Sequence, residues 1–261
     1  MRMGVISDRR RKQRLRRIGR VAAIAGIASL LGIAALSSNA FAGIGDMLRG
    51  SVQVFSSGRG AQEEICLRAI SVHALQLGVF DNRERALSET ARLEQLGVRC
   101  MIWQKEKMRL ISDVALERSG LDMQTAGGQE AYAIKESLKE VRLAIGAGAE
   151  DIGAVKTLLL LPDETLQRLL GGAPVAGETA RIRPLAEAAR TAHPEHALYT
   201  GLASNLISWC DMMDALDEQA HGYAEASMFA LCRGLRQALI TASTASAQRT
   251  PSTAADVMPP A

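Results

Sequence analysis

A basic cluster followed by an uncharged apolar stretch opens the chain and constrains it more than any other feature. Residues 9–20 hold eight Lys or Arg side chains and no acidic one, and no charge follows from Val21 until Asp46. A helix needs roughly 20 apolar residues to cross the hydrocarbon core of a membrane. The stretch also lacks the polar face that a helix packed on a soluble fold would show. We therefore predict a transmembrane helix at residues 21–42, with the basic tail at residues 1–20 kept in the cytoplasm.

A cleaved signal peptide is the alternative for the same segment. Ala40-Phe41-Ala42 has the small-x-small form of a signal-peptidase site, and polar residues 37–39 precede it. Cleavage there would start the mature chain at Gly43, whereas a retained helix would make a single-pass protein of the cell membrane. The long basic region and the many small residues fit both, and we favour the retained anchor. Under both alternatives the bulk of the chain is extracytoplasmic.

The formal net charge of +3 conceals two unlike parts. Residues 1–20 carry nine basic residues and one acidic residue, which leaves 22 basic and 27 acidic residues for the rest, a net charge of −5. A mildly acidic exported part argues against nucleic acid as the partner, because phosphate binding requires a basic face. Aromatic residues make up only 3% of the chain, which favours closely packed helices over a large all-β fold.

Four cysteines are scattered through the exported part without C-x-x-C spacing: Cys66, Cys100, Cys210 and Cys232. Disulfides form outside the cytoplasm, so pairing is one alternative. The last three cysteines lie in apolar strand-like or helical patterns, and free cysteine packs as a small hydrophobic residue. We therefore favour buried free thiols, and the spacing matches no zinc site.

Residues 70–80 alternate as a strand, with Leu75, Leu77 and Val79 on one side. Asp81 and Glu84 have capping-box spacing and predict a helix from about Arg83. Gly97 is in the position where a left-handed residue commonly closes a helix.

Three further strands and one further helix follow in the sequence pattern. The strands are predicted at Val98–Trp103, from Met108 to Ile111, and at Glu130–Ile134, and the helix at Glu117–Gln124. The order strand, helix, strand, strand, helix, strand predicts an α+β fold: a four-stranded antiparallel sheet with two helices on one face and the other face open.

The quoted residues are similar to those of the SPOR domain family. Leu75-Gln76-Leu77-Gly78-Val79-Phe80, an Ala/Leu-rich helix, Leu96-Gly97-Val98 and Met108-Arg109-Leu110 follow the family's first half, and the resemblance covers about residues 70–135. After the arginine strand, residues 112–116 depart from the family pattern. The resemblance implies a non-catalytic bacterial envelope module that binds peptidoglycan glycan strands stripped of their peptides, in cell division or sporulation.

Strand parity places Gln76, Phe80, Met101, Trp103 and Arg109 on the open sheet face. A glycan site needs a flat aromatic surface for sugar rings and planar polar groups for hydroxyl and acetamido oxygens. We therefore predict Gln76, Phe80, Trp103 and Arg109 as the glycan-binding residues. The alternative is that the two aromatic residues only cover the sheet or pack under a flanking helix.

The rest of the chain divides into a linker, a helical region and a tail. We predict a linker at residues 43–67, the SPOR-like domain at residues 68–136, a helical region at residues 137–242 and a disordered tail at residues 243–261. Pro162-Asp163 is expected to start a new helix, and further helices are expected at Glu178–Thr191, Glu195–Glu218 and His221–Ala242. Trp209, Met212, Met213 and Leu216 share a helical face, for which bundle core is favoured over a partner surface.

No catalytic motif is present in the sequence. It contains no nucleophile elbow, P-loop or dinucleotide fingerprint, and His193 and His196 have only two-ligand spacing with Pro194 between them. We expect no enzymatic activity, no cofactor and no metal. The expected function is glycan binding at the membrane. The alternative is an envelope scaffold whose C-terminal helices bind a protein and whose SPOR-like fold has lost glycan binding.

Overall fold

The computed structural model describes residues 63–121, 123, 130–145, 152–192, 197–216 and 221–247. These residues form, in chain order, β1 (Glu63–Leu67), β2 (Ile70–Phe80), α1 (Arg83–Gln95), β3 (Met101–Gln104), β4 (Met108–Ala115), β5 (Tyr132–Leu138), β6 (Val141–Ile145), α2 (Ile152–Leu170), α3 (Val175–Ala192), α4 (Ala197–Asp214) and α5 (His221–Ala247). The predicted basic tail and transmembrane helix, most of the linker and tail, and His193 and His196 lie outside the described residues.

The main sheet is antiparallel and four-stranded, with the order β3-β4-β2-β5. β2 is central, paired with β4 on one side and β5 on the other, and β3 pairs with β4. The predicted four-stranded antiparallel sheet and the α+β class are thus confirmed. Strands β3 and β5 begin a few residues later than the sequence pattern suggests.

Helix α1 begins and ends close to its predicted positions. Asn82, not Asp81, is the N-cap, and its side-chain oxygen accepts a hydrogen bond from the backbone N–H of Arg85 at 2.9 Å. Gly97 has a φ of +80° and closes the helix as predicted. Through Leu93 and its neighbours on the predicted apolar face, α1 covers one face of the sheet.

The second predicted sheet helix, Glu117–Gln124, is wrong for the residues that the structure describes. One 3₁₀ turn forms at Arg118–Gly120, and Leu121 directly after it has an extended backbone. Gly120 costs about 1 kcal/mol of helix stability relative to alanine, and no residue of the turn is buried to compensate. The expectation of two helices on one face of the sheet is wrong for the same reason.

Strands β1 and β6 continue the β2–β5 ladder in the same register. Ile70 pairs with Leu138, and Leu67 pairs with Val141, so two residues lie between the two pairs on each side of the ladder. Pairing is interrupted at residues 68–69 and 139–140, which we call the ladder break. Because β1 is a strand, the predicted linker at 43–67 is wrong for its last five residues.

Helix α2 continues through the position where Pro162-Asp163 was expected to start a new helix. Pro162 lies inside it, although a proline in a helix interior removes a backbone hydrogen bond and costs about 3 kcal/mol. Burial compensates for this cost, because Leu158 and Leu161 are buried and each buried leucine contributes about 1.5–3 kcal/mol. Gly172, with a φ of +85°, follows the end of the helix.

Helices α2 to α5 and the sheet share one hydrophobic core. Trp209 is buried in it and donates a hydrogen bond from Nε1 to Ser227 Oγ at 2.9 Å. Met212 and Met213 are also buried, so the predicted bundle core is confirmed. Helix α5 runs to Ala247 and therefore extends into the segment predicted as a disordered tail.

Candidate binding site on the concave sheet face

An irregularity in β2 decides which predicted site residues share a sheet face. The β2–β4 register shifts on both sides of Gln76, and such shifts change which side chains point to each face. Gln76 pairs with Ile111, which lies two residues from Arg109 on β4, and Arg109 pairs with Trp103, so Gln76, Arg109 and Trp103 share a face. Phe80 packs on the opposite face, in the cluster under α1. Three of the four predicted site residues therefore share a face, and the prediction is wrong for Phe80.

That face is not open, because helix α5 packs on it. Trp103 is 0% exposed, and its ring stacks on Phe229 at a centroid distance of 4.8 Å. Trp103 Nε1 donates a hydrogen bond to the backbone carbonyl of Ala226 at 3.2 Å. Met101, expected on the same open face, is also buried. The prediction of an exposed aromatic surface is therefore wrong, since the apolar half of the face is filled by a helix from the far end of the chain.

Beside Trp103, five polar side chains meet at one end of this face, and we call them the polar cluster: Gln76, Lys105, Arg109, Glu136 and Arg233. Arg109 Nη1 donates to Gln76 Oε1 at 3.3 Å and lies 3.9 Å from Glu136 Oε1. Lys105 Nζ lies 2.6 Å from Glu136 Oε2. The guanidinium of Arg233, from α5, lies 4.9 Å from the centre of the Trp103 ring, a cation–π distance.

The polar cluster forms because the sheet curls around α5. Along β2, Arg109 lies opposite Val79, whereas Glu136 lies opposite Val72. Seven residues of flat strand span about 23 Å, yet the Arg109 and Glu136 side chains come within ion-pair distance. The register shifts beside Gln76 bend the strand. The α5 side of the sheet is therefore concave. Side chains that lie opposite the two ends of β2 come together on it.

The polar cluster has three positively charged side chains and one negatively charged side chain. In the part of the chain that the structure describes, Glu136 is the carboxylate paired with Lys105 and Arg109. Burial lowers the pKa of Arg233, the nearby positive charge of Arg109 lowers it further, and Glu136 opposes this shift. Two guanidinium nitrogens, Arg109 Nε and Arg233 Nη1, are buried without a hydrogen-bond partner among the described residues. The arrangement offers donors and positive charge, which suits binding of a polar or anionic group.

The sequence pattern did not identify Lys105, Glu136 and Arg233 of the polar cluster as site residues. Two of them are nevertheless recognisable in the sequence as charged residues at positions where an apolar one is expected. Glu136 is a charged residue between the inward-facing Ile134 and Leu138 of β5, where an apolar side chain is the rule. Arg233 interrupts the long buried run of α5. Lys105 leaves no such signal, because it stands in an ordinary polar turn.

The described residues hold no group of three or more His, Cys, Asp or Glu side chains that could bind a metal ion. Among the helices of the described ranges, none is long and apolar enough to cross a membrane, and the predicted anchor at 21–42 lies outside those ranges.

All four cysteines lie in described residues and are free, as favoured from the sequence, but only the last three are buried, because Cys66 is partly exposed. Burial raises the pKa of the Cys100 thiol to about 12 and that of the Cys210 thiol to about 12. These thiols are therefore packing groups held in the protonated form.

Comparison of the chain with protein-family models, with curated proteins and with solved structures finds no match.

Proposed function

We propose that this chain is a non-catalytic protein of the bacterial envelope that binds peptidoglycan glycan strands through a SPOR-like sheet unit. Residues 21–42 tether it to the cell membrane as a single-pass protein with a cytoplasmic N-terminus. The sheet unit is then held within reach of the inner surface of the wall, where strands are remodelled in cell division or sporulation. Binding occurs at the polar cluster and not on an open aromatic face.

The observation that carries the proposal is the meeting of Gln76 and Arg109 on one sheet face, 3.3 Å apart. Both occupy positions on which the SPOR resemblance rests, although they are 33 residues apart in the chain. Amide and guanidinium groups are planar donors that fit the hydroxyl and acetamido oxygens of a sugar strand. Arg109 keeps 33% of its side chain exposed, so a ligand can reach it.

Retention of the full-length protein in detergent on purified peptidoglycan, with and without amidase removal of the peptides, tests the proposal. We expect retention on the stripped strands. Gln76→Ala and Arg109→Ala should each weaken it about tenfold, since each removes a hydrogen bond that involves a charged or planar group. The matched controls Gln237→Ala and Arg142→Ala change exposed residues elsewhere and should retain full binding. If the unaltered protein binds peptidoglycan neither with nor without its peptides, the proposal is wrong.

An envelope scaffold is the second candidate, and a different observation favours it. Trp103 is fully buried under Phe229, so the face that would present aromatic rings to a glycan is filled by the chain itself. A sheet covered in this way serves as structural support for helices α2 to α5, whose outer faces then bind a protein. Crosslinking in cells that captures one protein partner, together with absence of peptidoglycan retention, would favour this function over glycan binding.

The tether is tested separately. If residues 21–42 are a retained anchor, the protein stays with membranes after alkaline carbonate extraction, and mass spectrometry finds no mature terminus at Gly43. A terminus at Gly43 would remove the tether from the proposal and leave only the extracytoplasmic location.

A further inference from the structure

We propose that Lys105, Arg109 and Arg233 form a subsite for a carboxylate group of the ligand, with α5 contributing the third cation. The inference rests on the proposed function in naming a glycan strand as the ligand. The subsite itself follows from the charges and contacts of the polar cluster.

The polar cluster carries more positive than negative charge. Three cationic side chains surround one carboxylate, Glu136, which approaches Lys105 to 2.6 Å and Arg109 to 3.9 Å. No other carboxylate within the described ranges forms an ion pair with these three cations. Clustered and partly buried positive charge is unfavourable unless an anion balances it. The polar cluster therefore lacks the counter-charge that a bound anion would bring.

The polar cluster is accessible from solvent and has unused hydrogen-bond donors. Lys105 and Arg109 keep 42% and 33% of their side chains exposed, so an external group can contact both. Arg109 Nε and Arg233 Nη1 have no hydrogen-bond partner within the described part of the chain, so the hydrogen bonds of these guanidinium groups are incomplete there. A small shift of the Arg109 side chain on ligand binding would bring its remaining donors to an acceptor.

The chemical class follows from the shape and charge of the polar cluster. Guanidinium groups bind planar carboxylates in a two-bond geometry. Glu136 stays within the same group of side chains and disfavours a doubly charged phosphate, because like charges would then face each other. A monovalent carboxylate fits this balance best. On a glycan strand of peptidoglycan that group is the lactyl carboxylate of N-acetylmuramic acid, which becomes a free acid where the peptide is removed.

Calorimetric titration of the full-length protein in detergent tests the subsite with two matched pairs of ligands. The first pair is peptide-free glycan strands and the same strands with their carboxylates converted to methylamides. The second pair is N-acetylmuramic acid and N-acetylglucosamine. We expect the free acid of each pair to bind about tenfold more tightly, as one charge-assisted interaction requires.

Variants separate the subsite from a structural role. Lys105→Gln and Arg233→Gln should each lower affinity for free-acid strands about tenfold and affinity for amidated strands by a clearly smaller factor. Arg142→Gln, which removes an exposed charge on β6, is the control and should change neither. Lys105 is an exposed turn residue, so its variant folds even if Arg233→Gln does not.

Each outcome decides between the two proposals. Equal binding of free and amidated strands overturns the subsite while glycan binding stands. Binding of N-acetylmuramic acid but of no strand overturns glycan binding while the subsite stands. Absence of binding to all four ligands overturns both.

Discussion

Replacing Arg236 of α5 with methionine should destabilise the fold by about 5 kcal/mol. The reason is that this side chain hydrogen-bonds to the backbone on both sides of the ladder break. Its guanidinium donates to the backbone carbonyls of Leu67, Arg68 and Lys139, two of them on residues of the break itself. It also pairs with Asp163 of α2, and both side chains are buried. One residue therefore supplies donors to carbonyls at and beside the ladder break and balances a buried carboxylate.

The expected loss of stability follows from the buried groups that the substitution leaves without a partner. Methionine is unbranched and apolar and fills most of the volume of the arginine side chain, so the loss is mainly electrostatic. Removing one partner of a buried ion pair costs about 3–5 kcal/mol. The carbonyl of the fully buried Leu67 adds about 1–3 kcal/mol if it stays without a donor. Arg68 and Lys139 are exposed, so water can satisfy their carbonyls.

The dependence of this loss on pH gives a second signature. Burial raises the pKa of Asp163, and the positive charge of Arg236 opposes that shift. Without Arg236 the folded-state pKa rises further above the unfolded value. A carboxyl with a raised folded-state pKa destabilises the fold above that pKa and less so as the pH falls through it. The stability difference between the variant and the natural chain should therefore shrink as the pH is lowered through the raised pKa of Asp163.

Urea unfolding followed by far-ultraviolet circular dichroism measures these differences. The double variant Arg236→Met with Asp163→Asn should lose less stability than Arg236→Met alone, since no charge is then left unpaired. Arg183→Met is the matched control. It removes surface ion pairs with Asp211 and Asp214. This substitution should lower the free energy of unfolding by about 1 kcal/mol or less. If Arg236→Met costs no more than this control, the ladder break does not depend on the arginine.

Two further predictions concern packing and thiol chemistry. A Cβ on Gly222 would lie 2.5 Å from Asp113 Oδ1, so Gly222→Ala should cost about 1–3 kcal/mol in urea unfolding. Gly177→Ala, whose Cβ meets only an ordinary contact at 3.4 Å, should be neutral or slightly stabilising; equal effects of the two would contradict the close approach. At pH 8 iodoacetamide should label the native protein at Cys66, which is partly exposed, and not at the buried Cys100, whose pKa is raised to about 12. Because that thiol holds its proton more tightly in the fold, stability should fall as pH rises above its ordinary value of 9.0, and labelling of more than one thiol in the native protein would refute the assignment.

The sequence by itself determined the local features. The alternation of residues 70–80, Gly97 and the apolar face around Trp209 predicted a strand, a helix end and a bundle core, and all are confirmed. Each of these signals is local, because side-chain periodicity and left-handed glycines act within a few residues. For the same reason Gln76 and Arg109 could be placed on one sheet face from parity.

The tertiary structure alone decided which surfaces are covered and which charges meet. Strand alternation shows that a face is apolar but not what packs on it, and here a helix more than 100 residues further along the chain fills it. Parity also fails for Phe80, because the register shifts in β2 depend on pairing with β4. Arg233 and Glu136 join the polar cluster only because the sheet curls around α5. These contacts join residues that are distant in the chain, so no window of sequence contains the information.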